Sequence, residues 1–171
     1  MAERFAVNDY VIYGKSGLCI IKEIKRMRMA NGPLEEYYIL NAATGNSVTI
    51  YVPCSKEHLV SKMRHPMTKE EIDEVLDSAK GQEIEWINNS FERNDRFKEI
   101  TDSDNYRDWL LLASCLHLKK KEKLAANKHL SSRDENTLKL LEKLIEEEFC
   151  YSLKLERRQV SEYIKERLEI N

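Results

Sequence analysis

The stretches Tyr10-Val-Ile-Tyr13 and Val48-Thr-Ile-Tyr-Val52 decide how the N-terminal part of this chain folds. Both are short runs of β-branched and aromatic residues, a composition that is typical of strands. Residues 18–24 and 37–40 supply two further apolar runs of strand length between them. We therefore expect a compact β-barrel of about 60 residues, which is too small to hold a catalytic pocket and acts as a docking module.

Turn signals and side-chain alternation complete this prediction. Asn31-Gly-Pro33 and Thr44-Gly-Asn46 are typical turn sequences, and Pro53 ends the last strand. Because side chains alternate along a strand, Thr49 and Tyr51 share one face and point outward. The opposite face is expected to pack the barrel through three aliphatic side chains, Val48, Ile50 and Val52.

From Thr68 onward the apolar period becomes helical, and five helices are predicted. The sequences Thr68-x-x-Glu71 and Ser132-x-x-Glu135 each fit a capping box, in which a hydroxyl and a carboxylate pair with free amides at a helix start. A second helix is expected over 84–100, and a third from after Ser103 to about Lys128.

The fold class is therefore expected to be α+β, with a small β-barrel over 1–66 followed by an all-α helical domain over 67–171. The net charge is −2, yet Lys and Arg outnumber Asp and Glu within 1–66 and within 86–133. Two mildly basic regions in an acidic protein suggest a local contact with a polyanion.

Composition places the chain among soluble globular proteins, since 42% of its 171 residues are hydrophobic and 34% are charged. Its four cysteines are far apart and form no Cys-x-x-Cys pair, so we interpret them as small buried hydrophobes in a reducing compartment. The sequence contains no signal peptide and no apolar run near the roughly 20 residues that a membrane span needs. A cytoplasmic protein without membrane contact is expected.

No catalytic motif is present in the sequence. The four histidines lack metal-ligand spacing, and there is no His-Glu-x-x-His, no Gly-x-Ser-x-Gly and no phosphate-binding loop. We therefore expect a protein that is not an enzyme and that uses no metal, cofactor or small-molecule substrate.

A lysine-rich stretch from Leu118 to Lys128 is the first candidate for a binding site, with Glu122 as its only acid. Cations near a helix C-terminus suit the helix dipole, so this stretch is either a solvated helix end or a sequence-independent grip on a phosphate backbone. In the second case five side chains are candidates for DNA binding: Lys119, Lys120, Lys121, Lys123 and Lys128.

Trp86 is the second candidate. On a helix over 84–100, Ile87 and Phe91 would form the core face and Trp86 would point about 100° away from it. A bulky aromatic residue there is either a half-buried spacer or an apolar wedge for the DNA minor groove. Nearby polar side chains suit a groove or phosphates: Asn88, Asn89, Arg93 and Arg96. Trp109, by contrast, lies among leucines and is expected to be structural.

The order and spacing of several motifs resemble the CarD family of bacterial transcription regulators over nearly the whole chain. The family's strand motifs are matched by Asn8-Asp-Tyr-Val-Ile-Tyr13, Glu36-Tyr-Tyr-Ile-Leu40 and Thr49-Ile-Tyr-Val-Pro53. A family tryptophan followed by an aromatic-x-x-Asn stretch is matched by Trp86 and Phe91-Glu-Arg-Asn94. The Leu-Ser-x-x-Glu stretch that leads into a leucine-rich helix is matched by Leu130-Ser-Ser-Arg-Asp-Glu135.

The resemblance implies a Tudor-like barrel that binds the RNA polymerase β subunit and is shared with transcription-repair coupling factors. It also implies a helical domain on promoter DNA, where the family tryptophan wedges into the minor groove at the upstream edge of the bubble and slows reannealing. Polymerase-contacting positions of the family fall at Met27 and Tyr51. The docking surface implied for this chain comprises Arg26, Met27, Arg28, Thr49 and Tyr51.

The expected function is that of a transcription regulator that docks on RNA polymerase and stabilises the promoter open complex. The competing class is a protein-interaction adaptor of the same fold without a DNA contact. In that class Trp86 would pack in the helical core, and the lysines of 119–123 would face an acidic partner.

Overall fold

The computed structural model describes residues 4–45 and 48–170. The chain forms two compact units, Met1–Pro66 and Met67–Asn171, and each has its own hydrophobic core. The sheet lies in the first unit and the long helices lie in the second, so the α+β prediction is confirmed. Asn46, which belongs to the predicted turn Thr44-Gly-Asn46, lies outside the described residues.

In the described part of the first unit, five antiparallel strands form a sheet in the order β4-β3-β2-β1-β5. They are β1 (Tyr10–Tyr13), β2 (Leu18–Arg28), β3 (Leu34–Ala42), β4 (Thr49–Pro53) and β5 (Met63–Arg64). A 3-10 turn joins β1 to β2, and both Gly14 and Gly17 have positive φ there, where a side chain would be strained. The short helix α1 (Glu57–Val60) precedes β5.

The sheet is open. Within the described residues β4 and β5 are its two edges and do not pair with each other, so the closed barrel that the sequence suggested is not observed. The core lies against one face of the sheet, where Val11, Ile21, Leu40 and Val52 are completely buried.

Two predicted strands are longer in the structure, because β2 and β3 continue as a hairpin beyond the core. The residue pairs from Lys25↔Tyr37 to Arg28↔Leu34 extend the ladder. Exposed charged side chains dominate the β2 part of this extension, so the apolar pattern that marks a strand is absent there.

In β4, Thr49 and Tyr51 are exposed and Val52 is completely buried, as the alternation predicted. Val48 is an exception, since it precedes the strand and is 51% exposed. The aliphatic packing of this segment therefore begins at Ile50, which contacts the core while half-buried.

Within residues 67–170, five helices form the second unit. They are α2 (Lys69–Ala79), α3 (Ser90–Asp102), α4 (Tyr106–Ala125), α5 (Ser132–Leu153) and α6 (Arg157–Leu168). The Thr68–Glu71 capping box at α2 is confirmed, since both of its reciprocal hydrogen bonds form. The capping box predicted at Ser132 is wrong, because Ser131 is the N-cap of α5 and accepts from the amide of Asp134.

The helix predicted over 84–100 is also wrong at its start, because α3 begins only at Ser90. Asn89 caps it by accepting from the amides of Phe91 and Glu92. An asparagine side chain that satisfies the first free amides favours a helix start there rather than a helix that passes through.

Buried residues from α2, α3, α4, α5 and α6 build the core of the second unit. Trp109 is 1% exposed and donates its indole N–H to the carbonyl oxygen of Ile100 at 2.9 Å, so its structural role is confirmed. In α5, buried apolar residues recur at helical spacing at Leu138, Leu141, Ile145 and Phe149.

The cysteines differ from the expectation of full burial. Cys19 is buried, whereas Cys54, Cys115 and Cys150 are half-buried, and all four are free thiols. Among the helices of the described residues, none combines the length and the apolar character required to cross a bilayer.

Candidate docking edge and nucleic-acid interface

Strand β4 directs alternate backbone groups toward β3. The amide of Cys54 donates to the carbonyl oxygen of Glu36 at 2.9 Å. At the other end, the amide of Ala42 donates to the carbonyl oxygen of Val48 at 3.3 Å. Because hydrogen-bonded and non-hydrogen-bonded pairs alternate in an antiparallel ladder, the even-numbered residues of β4 bond to β3.

The odd-numbered residues therefore present their backbone groups at the free edge of the sheet. Thr49 and Tyr51 each offer an amide and a carbonyl group there, while Pro53 offers only a carbonyl. An edge of this kind accepts a strand from another chain. The residues with free backbone groups are also those whose side chains point outward.

The register also determines which predicted polymerase-contacting residues share a face. Met27 pairs with Glu35 of β3, and Tyr51 pairs with Ile39. Paired positions lie on one face, and positions four apart on β3 share that face, so Met27 and Tyr51 lie on the same side of the sheet. It is opposite the core face, to which Val52 belongs. The two side chains are about 13 Å apart along the strands.

Arg26 and Arg28 alternate with Met27 and therefore lie on the other face of β2, where both are exposed. The structure thus divides the predicted docking surface. Met27, Thr49 and Tyr51 share the outward face, and the two arginines point away from it.

In the second unit, Trp86 lies in the irregular segment between α2 and α3 and is half-buried. Its ring packs edge-on against Phe97 at a centroid distance of 6.1 Å, at the margin of the helical core. Phe91, which was expected on the core face, is instead 80% exposed on the first turn of α3. Trp86 therefore precedes the helix on which it was predicted to lie, and it is half-buried at the margin of the core.

Among the described residues, three cations lie close to the indole ring of Trp86. The guanidinium carbon of Arg93 lies 4.5 Å from the ring centroid, and the Nζ atoms of Lys119 and Lys123 lie at 5.3 and 5.9 Å. All three are within the distance at which a cation is attracted to an aromatic face. The structure thus joins the tryptophan segment and part of the lysine-rich stretch in one site, which we call the Trp86 cluster (Trp86, Arg93, Lys119 and Lys123).

Arg93 is not a surface residue. Its side chain is 9% exposed and forms an ion pair with Asp134, which is 1% exposed. Nε and Nη2 donate to the two carboxylate oxygens at 3.2 and 3.1 Å. A buried guanidinium group in a bidentate ion pair has no free donor edge for a phosphate. The structure therefore places Arg93 in the cluster as a buried residue and not as the DNA contact that the sequence suggested.

The helical rotation of about 100° per residue turns Lys120 and Lys121 away from the face of α4 that carries Lys119 and Lys123. Lys120 donates to Glu135 at 2.8 Å. This hydrogen bond lowers the pKa of Glu135 and raises the pKa of Lys120, so both groups stay charged and neutralise each other. Lys121 is exposed elsewhere on α4, and Lys128 is exposed beyond the end of that helix.

The polar residues near Trp86 also have assigned contacts. Asn89 caps α3, and the carbonyl oxygen of Asn88 accepts from Arg93 at 3.2 Å. Arg96 is exposed and pairs with Glu99 one turn away on the same helix at 3.2 Å. Asn88, Asn89 and Arg96 therefore do not belong to the Trp86 cluster.

Asp134 is the residue of the cluster region that the sequence analysis missed. Its signal was the hydroxyl–acid spacing Ser131-x-x-Asp134, which lies one residue earlier than the capping box predicted there. The pairing with Arg93 spans 41 residues of sequence and has no local pattern that reveals it.

A groove of about 660 Å³ opens beside the indole. It is bounded by residues 79–86, by α4 and by residues 168–170 at the end of α6, and its lining includes Leu111 and Leu118. Within 4–45 and 48–170, no three His, Cys, Asp or Glu side chains are grouped so that they hold a metal ion.

Replacing Arg93 and Arg96 separately distinguishes their roles. We expect Arg93→Ala to lower the free energy of unfolding by about 3–5 kcal/mol, because Asp134 is left as an unpaired buried charge. Arg96→Ala, the matched control on the same helix, should change it by less than about 0.5 kcal/mol, as for an exposed pair. Urea unfolding followed by circular dichroism measures both, and equal effects would contradict the burial of Arg93.

Comparison with known proteins finds a family model that matches most of the first unit. No curated protein matches the chain. All five strands of the sheet lie within the part of the chain that matches a family model, and that model describes a protein-interaction domain. Residues 5–64 match the family model of the CarD-like/TRCF RID domain, which supports an RNA-polymerase-interacting role for this segment.

Proposed function

We propose that this protein is a transcription regulator that docks on the β subunit of RNA polymerase through its first unit. Its second unit then places Trp86, Lys119 and Lys123 against promoter DNA at the upstream edge of the bubble. The Trp86 side chain wedges into the minor groove and slows reannealing, so the open complex persists. The observation that carries the DNA half of this proposal is the convergence of two lysines on one half-buried indole.

The family match and the free edge of β4 support the docking half. Main-chain hydrogen bonds from a β-subunit strand to Thr49 and Tyr51 supply affinity without requiring a particular side chain. The outward faces of Tyr51 and Met27 add apolar contact on the same side of the sheet. The arginines Arg26 and Arg28 point to the other side, so they contribute through charge rather than through this contact.

The Trp86 cluster supports the DNA half through its combination of charge and aromatic surface. Lysines hold a duplex through its phosphates without reading bases. A rigid indole offsets the stacking that is lost when a base step opens. Lys119 pairs with Glu122 at 3.1 Å in the free protein, and a phosphate would compete for that cation.

Affinity for DNA alone is expected to be low, because only two of the cations in the cluster are accessible. Docking on polymerase raises the effective concentration of the second unit at the promoter. A DNA contact that depends on polymerase docking also fits the net charge of −2, because a protein with this charge is unsuited to coating nucleic acid.

Docking at the β4 edge is tested with Tyr51→Glu, which places a charge where an aromatic contact is proposed. We expect binding of the full chain to the β-subunit lobe to weaken roughly tenfold or more, as for a hot-spot residue. The matched control is Tyr10→Glu, since Tyr10 is 36% exposed and Tyr51 is 41% exposed. Equal losses for both variants in a calorimetric titration would contradict docking through β4.

The wedge is tested with Trp86→Ala. We expect the lifetime of the polymerase open complex to shorten roughly 5- to 150-fold, corresponding to a base–aromatic stack of about 1–3 kcal/mol, while polymerase binding is retained. Phe91→Ala is the control, because Phe91 is a highly exposed aromatic residue outside the cluster. A lifetime that depends on Phe91 and not on Trp86 would contradict the wedge.

The phosphate grip is tested through the salt dependence of the open-complex effect. We expect the double variant Lys119→Gln/Lys123→Gln to reduce the slope against the logarithm of salt concentration by about 1.8, from two lost phosphate contacts. The double variant Lys120→Gln/Lys121→Gln removes the same charge from the same helix. Equal reductions in both variants would indicate a general charge effect and remove the proposed grip.

The adaptor without a DNA contact remains the second candidate, and one observation favours it. Trp86 packs against the helical core beside the groove that Leu111 and Leu118 line, which suits an apolar side chain of a protein partner. A flat salt dependence together with an unchanged open-complex lifetime in Trp86→Ala would select this candidate.

A further inference from the structure

Ser131 orients the side chain of Asp134 through contacts that do not involve Arg93. Its carboxylate accepts from the hydroxyl of Ser131 at 2.8 Å, and its amide donates to that hydroxyl at 3.1 Å. These contacts fix the carboxylate at the first turn of α5. Arg93 approaches from α3 and pairs with both carboxylate oxygens, so the ion pair joins the two helices at one point.

The remaining donor group of Arg93 binds the segment that carries Trp86. Nη1 donates to the carbonyl oxygens of Ile87 and Asn88 at 2.9 and 3.2 Å. These are the first two residues after Trp86, and they lie in backbone that has no helical or strand hydrogen bonds of its own. The guanidinium group therefore supplies hydrogen bonds that secondary structure does not supply there.

The same guanidinium group lies 4.5 Å from the centroid of the Trp86 ring. One side chain thus contacts the indole directly and also binds the backbone that follows it. A planar, rigid group with several fixed donors suits this combined role, whereas a lysine has only a point charge.

We propose that Arg93 and Asp134 are positioning residues for Trp86, fixing the indole and the backbone that follows it in the orientation used to meet DNA. The consequence for DNA rests on the proposed function, whereas the fixed indole is a property of the free protein. In the variant proteins, these two parts of the proposal are measured separately.

If the ion pair only stabilised the fold, replacing both of its charges together would leave the orientation of Trp86 unchanged. Buried ion pairs are often replaced by apolar residues of similar volume without loss of stability. The double variant Arg93→Met/Asp134→Leu keeps apolar volume at the contact between α3 and α5. It removes the donors to Ile87 and Asn88 and the cation over the indole, so it separates stability from positioning.

Acrylamide quenching of Trp86 fluorescence reports the orientation of the indole. Trp109 also emits, so each protein is compared with the same protein carrying Trp86→Phe, and the difference is the Trp86 signal. We expect the quenching constant of Trp86 to rise in the double variant, since the indole loses the group that covers it. Circular dichroism confirms that the helices are retained. Should the double variant not fold, Arg93→Lys decides by the same readouts, because it retains the charge but not the four hydrogen bonds.

The open-complex lifetime completes the test. We expect the lifetime gained from the protein to fall by a factor of roughly 2 to 30 in the double variant, the range that corresponds to one cation–π contact. Binding to the β-subunit lobe should be unchanged. A folded double variant with unchanged quenching of Trp86 would overturn the positioning role.

Two further outcomes separate this inference from the proposed function. Raised quenching in the double variant with a lifetime that neither it nor Trp86→Ala alters would remove the DNA wedge and retain the positioning role. A lifetime that Trp86→Ala shortens and the double variant leaves unchanged would show that the orientation of the indole is irrelevant to DNA, and would overturn the inference.

Discussion

The buried ion pair between Arg93 and Asp134 is the contact on which the Trp86 cluster depends. Taking two charges out of water is costly, and the cost is offset here because Nε, Nη1 and Nη2 of the guanidinium group each donate to an oxygen atom. Removing either Arg93 or Asp134 would leave the other as an unpaired buried charge. The ion pair also explains why the indole stays at the margin of the core, where it remains accessible while its segment is held.

A second constraint acts in the sheet, where strand register links backbone and side chains. The phase of the β3–β4 ladder leaves Thr49 and Tyr51 with free backbone groups at the edge, and strand alternation turns their side chains outward. A shift by one residue would bury Tyr51 and present Val52 instead. The edge is thus specified by the aliphatic residues that the core requires.

Much of this fold could be predicted because its signals are local. Alternation in β4, the capping box at Thr68 and the helical spacing in α5 each depend on neighbouring residues. The segment around Trp86 was predicted wrongly, because Ile87 and Phe91 imitate a helical period although Asn89 caps the helix between them and Ile87 lies outside it. The role of Arg93 was also missed, since Asp134 lies 41 residues away and no local pattern links them.

The most direct test compares the affinity of the full chain for polymerase in the closed and in the open promoter complex. A ligand shifts an equilibrium only by the ratio of its affinities for the two states. If the protein docks on polymerase and stabilises the open bubble, it binds the open complex more tightly, and Trp86→Ala removes the difference. Equal affinities for the two complexes, however tight, would contradict the account.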